Sequence, residues 1–499
     1  MDYRILPSLK YFFFLFLLVA TAAQAQTKAI EESILNDKES FYNIDFKNYL
    51  ALNAAIPIGM FDSRTGGLTV LDAVVNFDYY NNRSGRKKPD GISDFSREDF
   101  IYLADQANMP YGNYAAVGKT DLLKEHIIKD AQFLLGSKYY HDNQLYTDKK
   151  PIKILVIACN TATAYGKTDV ENFLKKAGSQ VKVIGVIDAG ARGALSTFKK
   201  NESGSIGIFA TAGTVASAGY ETALKNLIAA IGYNGNIQFF SQGGVGLAEV
   251  IDEDLKYIDR KAQEPRSLYK GPGLTENDLA IQTTLLTIYG FDFSKYRMLC
   301  DANAPDQCTV MQINSPENYV RFHLVTLLEK MRATTGALPL KALILGCSHY
   351  PFLTTEIQKV LVDLRKVKTD GTYRYKHLLA KKVNLIDTDI NTAVELFVYL
   401  SGQQLPNKAG HETNGDFYIS IPNKKNSQII TEENGGRFSF DYKYDRKAGA
   451  IQEYIQAVPF SRANIPVDVK ERIKMQIPKT DGLIKNSGMD RLLRTDEKW

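Results

Sequence analysis

Histidine, tryptophan and cysteine are scarce in this 499-residue chain, which holds six, one and four of them. The scarcity narrows the chemistry. His126 and His141 stand at no metal-ligand spacing, so no metal site is expected. The formal charge of +5 is spread along the chain without the clustered basic face that nucleic acid requires, and no nucleic-acid partner is expected. A dinucleotide fingerprint is also missing. The stretch "SQGGVGLAEVIDED" follows the strand-like "NIQFF" and carries Gly244 and Gly246, but Glu249 stands where a third glycine would fall.

Long apolar runs are lacking as well, except at the N-terminus. "MDYRILPSLKYFFFLFLLVATAAQAQ" places Arg4 and Lys10 before an apolar stretch, Tyr11 to Ala20, that is too short to span a bilayer comfortably. Ala23-Gln24-Ala25 then supplies a small-x-small cleavage site. Residues 1–25 read as a signal peptide, cleaved near Ala25, which implies a periplasmic or secreted protein with no stable membrane span afterwards. No cysteine stands at the expected mature start to carry a lipid.

Export changes the meaning of the four cysteines, because disulfides persist outside the cytoplasm and free thiols there need a reason. Cys300 and Cys308 flank the polar "DANAPDQ" and form a disulfide candidate that closes a small loop. Cys159 and Cys347 sit differently. Each ends an apolar strand-like run and precedes small and polar residues, in "IACNTATA" and "ILGCSHYP".

Apolar runs followed by Gly/Ser/Thr/Asn-rich turns and helical patterns recur along the chain, as in "KILVIACN", "VKVIGVIDAG" and "KALILGCSH". That alternation predicts an α/β protein with largely parallel sheets, whose ligands gather at the carboxyl ends of the strands. A weak internal repeat relates "IGMFDSRTGGLTVL" at 58–71 to "IGIFATAGTVASAG" at 206–219, just as the two cysteine strands resemble each other. Two similar lobes, pseudo-twofold related and with the active site in the cleft between them, would account for both pairs. The expected division is 26–200 for the first lobe, completed by 383–402, then 201–382 for the second and 403–499 as a peripheral, β-containing C-terminal extension.

A thiol acts in catalysis as a nucleophile or as a proton carrier. A cysteine hydrolase needs one thiol with a histidine. Inversion at a carbon beside a carboxylate needs a base on one face and an acid on the other. Two lobes with one thiol each suit the second demand.

Six segments in order, "IGMFDSRTGGLTVL", "YLADQANMPYG", "VIACNTATA", "IGIFATAGTVASAGY", "GVGLAE" and "LILGCSHYPFL", followed by "VNLID", make the chain resemble glutamate racemases of the cofactor-independent aspartate/glutamate racemase family. The resemblance implies that Cys159 and Cys347 are the paired acid and base, with Asp62 assisting the first and His349 and Glu249 the second. It places Asp62, Ser63, Tyr111, Gly112, Asn160, Thr161, Ser348 and His349 at the substrate, with Thr214 and Ser217 as further contributors. It implies an amino-acid substrate, glutamate first, and no cofactor. Neither cysteine motif holds a lysine for a pyridoxal Schiff base, which agrees. A homodimer is the assembly to look for. Three departures stand out: Arg64 where the family usually has Gly, Ser348 where it has Thr, and "SQGG" in place of the usual Cys-Pro region before Glu249.

Overall fold

A computed structural model describes residues 29–49, 53–274, 279–408, 412–433 and 435–499. The expected signal peptide, 1–25, lies outside the described residues. Among the described residues no helix is long and apolar enough to cross a membrane.

The chain divides into two compact units, one of residues 1–185 with 396–499 and the other of residues 186–395. The first unit is built on a six-stranded sheet in the order Ile455–Pro459, Asn414–Pro422, Asp99–Ala104, Ile58–Asp62, Ile154–Ile157, Lys182–Gly185. Every pairing is parallel except the edge pair of Ile455–Pro459 with Asn414–Pro422. The central strands read as unbroken apolar runs because a parallel sheet is covered on both faces, and Ile154, Leu155, Val156 and Ile157 are each fully buried. Helices Thr120–Leu135 and Asn160–Lys176 pack on each other and supply much of the core on one side, with Leu123, Ile127 and Phe173 fully buried.

The second unit carries a four-stranded, wholly parallel sheet in the order Leu379–Asp387, Leu340–Gly346, Gly204–Ala210, Ile237–Gly243. Its core gathers Phe209, Leu343, Leu345 and Tyr350 with helix Pro316–Ala333. A short antiparallel pair, Met298–Cys300 with Met311–Ile313, is closed by the Cys300–Cys308 disulfide, whose Cα atoms are 5.6 Å apart.

The expected boundaries need correction. Residues 383–402 were expected to complete the first lobe; strand Leu379–Asp387 instead hydrogen-bonds to Leu340–Gly346 in the second unit, and the chain rejoins the first unit from Leu396. Helix Val186–Leu195 also falls in the second unit rather than before residue 200, because it packs on helix Gly219–Ile231 and strand Leu340–Gly346. Residues 403–499 are at the sheet's edge, yet they are more integrated than an appendage. Asn414–Pro422 extends the sheet in parallel register with Asp99–Ala104, and the terminal Trp499 is buried with its indole N–H on Asp481 at 2.8 Å.

Both repeated stretches fold alike. Phe61 pairs with Ile157 in the first unit and Phe209 with Leu345 in the second, so in each the "IG-x-F" strand is the direct neighbour of a cysteine strand. The sulfur-bearing residue follows two positions beyond that pairing in both.

Candidate functional site

In the first unit, Cys159 caps helix Asn160–Lys176 and the Ala162 N–H donates to its Sγ at 3.5 Å. The neighbouring strand ends at Asp62, whose carboxylate accepts the N–H groups of Ser63 and Gly67, both at 2.7 Å. That cradle requires glycine at 67, where an added Cβ would lie 2.6 Å from the Asp62 Cβ and 2.9 Å from the Tyr102 hydroxyl. Ser63 accepts from the Cys159 thiol at 3.8 Å. Burial, then the negative charge of Asp62, pushes the Cys159 thiol up to about 12. In the unliganded protein this residue is therefore a proton-carrying thiol, with a carboxylate fixed beside it.

Asn160 and Thr161 open the same helix and are half-buried, beside Cys159 at the carboxyl end of the sheet. Arg64 follows Ser63 in extended conformation, and its carbonyl accepts from Tyr102 at 2.9 Å. Tyr111 turns its side chain inward. Its ring is buried and its hydroxyl lies 2.6 Å from Asp105 and 2.5 Å from Asp130, so its side chain is committed to the interior. Only its backbone and that of the half-buried Gly112, which begins helix Gly112–Ala116, remain to meet a ligand.

In the second unit, Cys347 follows strand Leu340–Gly346 and its Sγ is 3.7 Å from Nδ1 of His349. The other ring nitrogen, Nε2, is 3.2 Å from the Asp252 carboxylate. Burial by itself would lower the His349 pKa, but the Asp252 carboxylate and the Cys347 sulfur outweigh it and raise it to about 10. A protonated imidazole thus stands beside Cys347, the counter-charge that a thiolate there would require. Ser348 places its hydroxyl 3.4 Å from the same Nδ1.

Thr214 and Ser217 follow strand Gly204–Ala210, whose last residue pairs with Gly346, so they share the strand-end edge with Cys347. The Thr211 hydroxyl caps this turn, 2.9 Å from that of Thr214, and Ser217 donates to the Thr214 carbonyl at 2.6 Å. Glu249 is half-buried in helix Leu247–Ile251, and the carboxylate that meets His349 is instead Asp252, at the end of that helix. Asp252 was missed in the sequence. Its signal was its position three residues after Glu249 in "AEVIDED", on the same helical face.

Each unit therefore presents a buried thiol just past the carboxyl end of a parallel strand, an arrangement that defines an α/β protein with two equivalent sulfur sites. No family model matches the chain. Among curated proteins it is 36% identical over 169 residues to glutamate racemase of Enterococcus faecalis, covering 34% of this chain and 46% of that protein. It is 26% identical over 364 residues to glutamate racemase of Levilactobacillus brevis, covering 73% of this chain and 86% of the relative. The chain thus spans about half the length of the first relative and most of the second. A glutamate racemase structure from Bacillus anthracis overlays with a TM-score of 0.42 at 22% identity, over 74% of this chain and 89% of that one. A Francisella tularensis glutamate racemase in complex with D-glutamate gives 0.41 at 21%, over 73% and 88%. The chain is thus similar in sequence to glutamate racemases, at 26% identity over 73% of its length and at 36% over a third of it.

Proposed function

We propose that the protein is an exported, cofactor-independent amino-acid racemase, with glutamate its first substrate. One thiolate removes the α-proton while the other thiol delivers a proton to the opposite face, and the roles exchange for the other enantiomer. The carrying observation is that both repeated cysteines stand at strand ends, each with its own acid–base partner: Asp62 for Cys159, and the His349–Asp252 pair for Cys347. Strand-end hydroxyls and helix-start N–H groups suit an α-carboxylate without a buried opposing charge. The names of the curated relatives support the substrate. Support for export comes from the N-terminal "FFFLFLLVATAAQA" and from the Cys300–Cys308 disulfide. An intact mass starting near Gln26 on protein collected outside the cytoplasm is the expected outcome.

In deuterated water the α-hydrogen of either glutamate enantiomer should exchange, and Cys159→Ser and Cys347→Ser should each lose racemisation by about 10²–10⁴-fold. Full activity in either variant would end the two-thiol reading. Arg64, in the loop beside Asp62, favours a second reading, a racemase-like protein that only binds an amino acid or peptidoglycan fragment. Calorimetric binding with no α-exchange would select it.

A further inference from the structure

The segment 107–112 is held by residues that lie more than 300 positions later in the chain. Ser420 donates to Asp105 at 2.7 Å and accepts the Ala107 N–H at 2.9 Å. Lys443 Nζ donates to the Met109 carbonyl at 2.7 Å. Arg446 donates to the Asn108 amide oxygen at 2.9 Å, and Asn108 in turn donates to Asp105 at 3.0 Å. The guanidinium itself is boxed by aromatic faces, its carbon 4.2 Å from the Tyr454 ring centre, 4.8 Å from Phe438 and 5.2 Å from Tyr442. Ala107, Phe438 and Tyr454 form a small core of their own beneath it.

Hydrogen counting fixes the far side of this loop. The Tyr111 hydroxyl has one proton but two carboxylates within 2.6 Å, so one of them must be protonated and donate. Burial and the nearby Asp105 raise Asp130 well above the carboxylate range, and among the described residues Tyr111 is its hydrogen-bonding side chain, so Asp130 carries that proton. Asp105, with donors from Ser420, Asn108 and Tyr111, is the acceptor. The loop is therefore pinned at Asp105, Ala107, Asn108, Met109 and Tyr111 and leads into Gly112, the first residue of helix Gly112–Ala116.

We propose that the C-terminal segment is a positioning clamp, in which Arg446, Lys443 and Ser420 hold the Ala107–Gly112 loop in the conformation that binds the amino-acid substrate. The substrate half of this statement rests on the racemase reading; the holding of the loop does not. A loop left free to slide must be ordered when substrate binds, and that ordering cost is taken from affinity. Arg446 is a positioning residue, acting through Asn108 and the loop backbone.

The test uses the full chain with Arg446→Ala, Arg446→Lys and Ser420→Ala. Amide hydrogen exchange of residues 107–113 should quicken by about tenfold or more in Arg446→Ala and Ser420→Ala while exchange in strand Ile154–Ile157 is unchanged. KM for glutamate should rise by about tenfold with kcat within about twofold of wild type, and Arg446→Lys, which keeps the charge, should recover part of the loss. Unchanged exchange at 107–113 would overturn the clamp. Faster exchange with unchanged KM would overturn its role toward substrate. A wild-type protein that exchanges no α-proton would remove the racemase reading and the substrate half with it, while the amide exchange still decides the clamp. Should Arg446→Ala fail to fold, Ser420→Ala carries the same two readouts.

Discussion

The two cysteine strand ends share a backbone and differ in charge. Phe61 opposite Ile157 and Phe209 opposite Leu345 set the same register, and the residue after each phenylalanine is where the units part: Asp62 in the first, Ala210 in the second. The first thiol faces a carboxylate cradled by two backbone N–H groups; the second faces an imidazole backed by Asp252. One construction thus yields a thiol held protonated and a sulfur with a cationic neighbour. The two sulfur sites therefore differ in the charge beside the sulfur, a carboxylate in the first and a cationic imidazole in the second.

The largest consequence is in reactivity. A thiol pushed up to about 12 exposes very little thiolate at neutral pH, so iodoacetamide should modify Cys347 at least roughly a hundredfold faster than Cys159. Peptide mass mapping over time checks this, and Asp252→Asn should shrink the gap while Glu249→Gln leaves it. Equal rates in the native protein would break the comparison.

Stability against pH is the next effect. His349 holds its proton up to about pH 10 in the folded chain, against roughly 6.5 unfolded. Its folded pKa is raised, so the stability it contributes is fully present below about pH 6.5 and is lost as pH rises toward 10. Denaturant titrations should show up to a few kcal/mol less stability at pH 10 than at pH 6 from this group. His349→Gln should flatten that slope; an unaltered slope would argue against the His349–Asp252 pair.

The smallest effect sharpens the first site. Gly67→Ala would drive a methyl against Asp62 and Tyr102 and should cost about 1–3 kcal/mol, read as a lowered Tm, with racemisation falling as the carboxylate shifts. The reason is packing alone, since Gly67 has ordinary right-handed backbone angles, φ −65° and ψ −6°.

Much of this was legible in the chain itself. Runs such as Ile154–Ile157 declare buried parallel strands because both faces are apolar, and the paired cysteines stand out because each follows such a run. Asp252 was harder to see. Its spacing from Glu249 puts both on one helical face, but only the folding of helix Leu247–Ile251 shows that it is Asp252 that meets His349. For Tyr111 the motif gives the position but not whether ring or backbone faces a ligand, and only the fold commits the ring to Asp105 and Asp130.

By itself the sequence determined the α/β class, the two thiols at strand ends and the similarity to glutamate racemases, since these depend on local periodicity and on short motifs. Tertiary structure decided the rest. Strand Leu379–Asp387 joins the second sheet, and Asn414–Pro422 extends the first beside a strand more than 300 residues earlier. Hydrogen-bond pairing between distant strands is chosen by which neighbour buries both faces, and no local pattern encodes that neighbour.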